Sequence, residues 1–196
     1  MPTKASIANI ALRELGANTV VDLVTETSKE ANLVNDLWDD LLKEVLEAHT
    51  WDFAKEVDAL ALNSGFTDLN GKWTYSYALP SLYIRPGRRL ANKYKYERRG
   101  QNLLTNQEEC VFEFIQLIDD PTKFPPHFAM ALSARLRASF AIPLSKKGTR
   151  SVDFMKYYLE ISLPTAQRAD AKHSVMSTED TLGHTVANDT WNKEFD

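Results

Sequence analysis

A chain of 196 residues with 43% hydrophobic and 26% charged residues has the balance of a soluble globular protein and enough material for a sizeable core. Its net charge of −4 argues against whole-molecule attraction to nucleic acid or to an anionic membrane, and its one cysteine, Cys110, excludes an intramolecular disulfide. No apolar stretch reaches the ~18 residues of a bilayer-spanning helix, and the amphipathic start does not read as a signal peptide, so a cytoplasm-like compartment is expected.

Residues 3–15 predict a short helix: Ile7, Ile10, Ala11 and Leu15 recur at helical spacing, and Gly16 stands where a left-handed cap is wanted. After an apolar linker over 19–24, Ser28 is a natural N-cap with Glu30 in the first turn. Ala31, Val34, Leu37, Trp38, Leu41, Leu42, Val45 and Leu46 then form one wide apolar stripe, with carboxylates on the opposite face. Past His49 the period changes. Residues 51–61 alternate in part, 63–72 carry the turn formers Gly65, Asn70 and Gly71, and Trp73–Leu79 is an aromatic strand stopped by Pro80. Tyr83-Ile84 starts a strand broken at Pro86-Gly87, Tyr94–Arg98 leads into a hairpin turn over 99–102, and Cys110–Ile118 is a further strand. Helices resume at Pro125-Pro126. Phe128, Ala131, Leu132, Leu136 and Phe140 mark the first, which Pro143 is expected to end, and 151–176 the second, which Pro164 is expected to kink or end. The fold class expected is α+β: a helical bundle built from 1–50 and 119–176, a small antiparallel β domain inserted over 51–118, and an extended polar tail over 177–196.

Catalytic signatures are missing from this pattern. There is no GxxxxGK[ST], GxGxxG, CxxC, HExxH or GxSxG, and His49, His127, His173 and His184 stand apart from one another, so no enzyme activity, metal or cofactor is expected. His49 reads as a helix C-terminal residue that favours partial positive charge. Charge segregation is the informative feature. Eleven carboxylates lie between Asp22 and Asp58 (among them Asp36, Asp39, Asp40 and Glu44) against three lysines, while Arg85, Arg88, Arg89, Lys93, Lys95, Arg98 and Arg99 face Glu97 alone. Self-assembly, in which the basic segment of one copy meets the acidic helix of the next, is ranked first. Solvated faces without a partner come second, and nucleic-acid contact by residues 85–99 third.

The runs Asn9–Ala17, Val21–Leu23, Ser28–Asn32, Leu46–Ala54, Trp73–Pro80 and Phe128–Leu132 resemble the tail tubular protein A family, the head-to-tail adaptors of short-tailed bacteriophages. The similarity extends to about residue 142; Thr50 and Ser81 replace the proline and aspartate common at those places in the family. The resemblance implies a structural ring of about twelve copies (a dodecamer) between the portal and the tail nozzle of a virion, assembled in the host cytoplasm, with tail fibres attached in some phages. It further implies DNA crossing the lumen in transient, non-specific contact, no cofactor and no membrane. Trp191 and Phe195, apolar residues in the polar tail, are expected to dock on a neighbouring subunit, the portal or the nozzle. The alternative function is a DNA-binding or DNA-packaging accessory protein that uses the basic 85–99 segment.

Overall fold

The structure is a computed structural model that describes residues 2–87, 95–145 and 148–172. It is α+β, with helices and two antiparallel sheets.

Helix α1 (Lys4–Leu15) starts with a reciprocal capping box. Thr3 Oγ1 accepts the amide of Ser6 and Ser6 Oγ accepts the amide of Thr3, which satisfies two donors that a helix start leaves open. Gly16 closes it at φ 71°, a conformation that costs a residue with a Cβ. Helix α2 (Lys29–Glu47) is capped by Ser28 Oγ on the amide of Ala31, and it buries the expected stripe except Leu37, which is only partly covered. Each fully buried aliphatic side chain contributes roughly 1.5–3 kcal/mol.

A short 3-10 turn (Asp52–Ala54) leads into the strands, which among the described residues lie between Lys55 and Gln116. β1 (Lys55–Ala59) pairs antiparallel with β7 (Val111–Gln116), so the first and last strands lie side by side, and β4 (Tyr83–Pro86) flanks β7 on the other edge. A second sheet has the order β2 (Ala61–Leu62), β3 (Tyr75–Ala78), β6 (Asn102–Thr105), β5 (Tyr96–Arg99), and the β5–β6 hairpin turns at Gly100 with φ 59°. The run after Trp51 is thus a turn followed by two short strands, and the single sheet expected is two. Leu60, Tyr77, Leu79 and Leu103 from the second sheet and its flanks meet Phe112 and Phe114 of β7 in one apolar cluster. Ile115, also on β7, joins the helical core instead.

Gly87 sits where the chain leaves β4, and a Cβ there would lie 2.3 Å from Oε1 and 2.5 Å from Cγ of the buried Glu113. Its amide donates to the Glu113 carbonyl. Gly87→Ala is expected to lower stability by about 1–3 kcal/mol through overpacking, read as a drop in the thermal midpoint.

Helix α3 (Pro126–Ser145) is the central helix, packed against α1, α2 and α4 (Gly148–Tyr157). One proline expectation is corrected here and a second is narrowed. Pro143 lies inside α3, which continues to Ser145; a proline so near the end forfeits only one terminal bond, and Lys29 Nζ donates to its carbonyl. Of the two outcomes expected at Pro164, a kink or an end, the end does not occur. A π-turn (Tyr158–Ser162) precedes this residue, with the Leu163 amide on the Tyr158 carbonyl, and this wider turn makes room for the proline ring before the helix runs on to 172. The core gathers Trp38, Trp51, Phe128, Phe140 and Tyr158 with the aliphatic stripes of α1 and α2. Among the described residues no helix is long and apolar enough to cross a membrane.

Candidate assembly surface

The residues facing away from the α2 stripe set one half of the site. Asp36, Asp39, Asp40 and Glu44 are all exposed there, because the apolar period places them opposite the core. They are not equivalent. Glu44 is held by Arg135 of α3 in a two-point pair at 2.8 and 2.7 Å, and Asp39 lies 3.8 Å from Lys4 Nζ. Asp36 and Asp40 have no cationic partner among the described residues.

The basic half divides likewise. Arg85 Nη1 donates to the Glu47 carbonyl at 2.7 Å, placing a positive charge on the C-terminal end of α2, where the helix dipole favours it. The basic segment thus meets the acidic helix within one chain at this point. Arg99 is bound to Glu97 and Asp68 of its own β layer. Glu97 also accepts from Trp73 Nε1 and Lys72 Nζ. The indole bond, then Arg99, then Lys72 hold its carboxyl down at about 2, so it stays charged throughout the ordinary range. Burial works against ionising Asp68, but the amides of Trp73, Lys72 and Asn70 and the Arg99 guanidinium outweigh it and keep its pKa low. Lys95 and Arg98 are exposed at the outer strand of the second sheet. Arg98 Nε donates to the Gly100 carbonyl and its guanidinium lies over the face of Tyr83, 5.0 Å from the ring centroid; among the described residues it has no carboxylate partner. Arg88, Arg89, Lys93, Trp191 and Phe195 lie outside the described residues.

Sequence reasoning missed a buried polar knot. Asp170, 4% exposed near the end of the last helix, sits 3.3 Å from His49 Nε2 and 3.5 Å from His127 Nε2. It also accepts the amide of Asp52 at 3.2–3.3 Å. Burial works against its ionisation, but the His49 and Asp52 hydrogen bonds outweigh this and keep its carboxyl below the usual range. Trp51 packs between the imidazoles, with ring centroids 4.9 Å from His49 and 6.2 Å from His127. His49 is therefore tied to a specific carboxylate and is more than a residue near a helix end. Among the described residues no group of His, Cys, Asp and Glu is arranged to hold a metal ion.

No model of a known protein family matches the chain, and comparison with curated proteins found no match.

Proposed function

We propose that this chain is a structural adaptor that assembles head to tail into a ring, as its resemblance to the phage head-to-tail adaptors suggests. In this reading the helices of 1–50 and 119–176 form the ring body, the 51–118 insert reaches the neighbouring copy, and the 177–196 tail reaches the portal or the nozzle. The observation that carries it is the pair of charge sets left unmatched among the described residues: Asp36 and Asp40 on the outer face of α2, Arg98 on the outer strand of the second sheet and Lys95 just ahead of that strand. A surface with separate acidic and basic patches joins its own kind heterologously, and such contacts close when the rotation per copy permits. Asp36, Asp40, Lys95 and Arg98 are better partners for a neighbour than Glu44 and Arg99, which are already paired within the chain.

Native mass spectrometry and negative-stain microscopy of the full chain, alone and with portal, test this reading. A closed ring of about twelve copies is expected. Lys95→Glu with Arg98→Glu should weaken assembly by about tenfold at low salt, and adding Asp36→Lys with Asp40→Lys should restore it. A chain that stays monomeric and ignores the portal overturns the proposal. Steep salt-dependent DNA binding lost in the Lys95/Arg98 variant would favour the DNA-accessory reading instead.

A further inference from the structure

Asn70 is the one asparagine of the chain that is followed by glycine. The pairing matters chemically, because a backbone nitrogen with no Cβ beside it can reach the side-chain carbon of the residue before it. The dipeptide stands at the tip of the loop between β2 and β3. Leu69 is 97% exposed, Asn70 and Gly71 are exposed, and a Cβ built on Gly71 would meet nothing within 4 Å, so the pair is open to water. Among the described residues the Asn70 side-chain amide makes no hydrogen bond; its backbone amide donates to Asp68 Oδ1 at 3.4 Å. Asn63, which precedes the small Ser64, is held differently. Its Nδ2 donates to Ser76 Oγ at 3.1 Å and to Asn102 Oδ1 at 2.9 Å.

The same loop restrains the reacting nitrogen. The Gly71 amide donates to the Asp68 carbonyl at 2.9 Å, which closes a tight turn with Gly71 at φ 65°. Asp68 Oδ2 accepts the amides of Lys72 and Trp73, both at 3.0 Å, and Arg99 Nη1 lies 3.3 Å from Oδ1. One covered carboxylate thus organises the turn from inside. While the turn is closed, the Gly71 N–H is spent on a carbonyl and is not free to lose its proton beside Asn70 Cγ. An exposed leaving group next to a restrained nucleophile makes local opening of the turn the deciding step.

We infer that Asn70 is a site of spontaneous deamidation whose rate is set by opening of the Asp68 turn. In the open turn a water-derived base takes the Gly71 amide proton, and the nitrogen attacks Asn70 Cγ. The new N–Cγ bond closes a succinimide ring, and Nδ2 takes up a proton and leaves as ammonia. Water then opens the ring. Attack at Cγ breaks the new N–Cγ bond and gives aspartate in an unchanged chain. Attack at the Asn70 main-chain carbonyl carbon breaks the original peptide bond and gives isoaspartate, whose chain runs through Cβ and Cγ. One water is consumed and one ammonia released, with no oxidant or reductant. Both products place a new carboxylate beside Asp68. Isoaspartate also lengthens the backbone inside the turn, so the Asn70, Lys72 and Trp73 amides cannot all keep their places on Asp68, and the Arg99 contact with Asp68 loosens. The site is independent of the ring reading.

The test incubates the full chain in mildly alkaline buffer made with water enriched in heavy oxygen. Peptide mapping follows each asparagine, and methyltransferase labelling follows isoaspartate. Asn70 is expected to convert ahead of the other described asparagines, with heavy oxygen in its product, while Asn63 keeps its amide. Unfolding in urea should speed the Asn70 conversion by roughly tenfold or more, and Asp68→Ala should speed it by roughly tenfold in the folded protein. Should Asp68→Ala fail to fold by circular dichroism, Arg99→Ala removes only one contact of that carboxylate and should raise the rate about threefold. Asn70→Gln, which needs a larger ring, should keep its amide. An Asn70 that keeps its amide while other described asparagines convert would overturn the site. Equal rates in the folded wild type, the unfolded chain and the folded variant would overturn the turn as its gate.

Discussion

Trp51→Ala is expected to lower stability by about 4 kcal/mol, a large part of what a domain of this kind possesses. Trp51 is fully buried. Its ring meets His49 edge-on, stacks over His127, and meets Phe128 at 5.1 Å between centroids. Deleting it removes contacts among the ends of α2 and α3 at once and leaves a cavity the surrounding helices can only partly close. A further cost comes from the indole N–H, which donates to the Val45 carbonyl at 2.8 Å inside the core. Trp51→Phe separates the two effects. It keeps most of the apolar volume and leaves the Val45 carbonyl short of a donor, so a loss of about 1–2 kcal/mol is expected. Urea unfolding followed by far-ultraviolet circular dichroism measures both without relying on tryptophan emission. A loss below about 1 kcal/mol for Trp51→Ala would show that the site collapses around the gap, and that the aromatic cluster does not fix the helix ends.

What was legible in the sequence was local. The Ser28 cap, the α2 stripe and the Gly16 cap each depend on residues within a few positions, and the structure has them in place. The β5–β6 hairpin was legible for the same reason, since its turn at Gly100 joins adjacent strands. The closing of β1 onto β7 was not, because no periodicity states which distant strand will pair. Pro143 misled for a physical reason, since a proline costs little in a last turn; at Pro164 the helix does not end because a π-turn widens it ahead of the ring. In the candidate surface, sign and rough location were legible and availability was not. Arg85 and Glu44 look like free charges in the sequence, yet one holds the end of α2 and the other is held by Arg135. The Asp170 knot left no signal at all, since its carboxylate bonds an amide 118 residues away.

That knot carries the second large effect. Asp170→Ala is expected to cost about 3 kcal/mol, because the change strands the Asp52 amide and leaves two largely buried imidazoles without their shared acceptor. Asp170→Asn keeps one oxygen for the amide but turns an NH2 group toward an imidazole nitrogen, so it should fall between wild type and alanine. The pH dependence has a definite sign. The folded carboxyl titrates below its ordinary 3.8, so its contribution is fully present above that pH and is lost as pH falls through the lower folded value. The stability gap between wild type and Asp170→Ala should therefore shrink in strong acid, as the folded carboxylate takes up its proton. A gap that stayed unchanged down into strong acid would overturn the ionised carboxylate as its source. Because Trp51 packs between the same two imidazoles, the double variant Trp51→Ala/Asp170→Ala should lose less than the sum of the single losses. Additive losses would mean that the aromatic contacts and the carboxylate hold the helix ends independently.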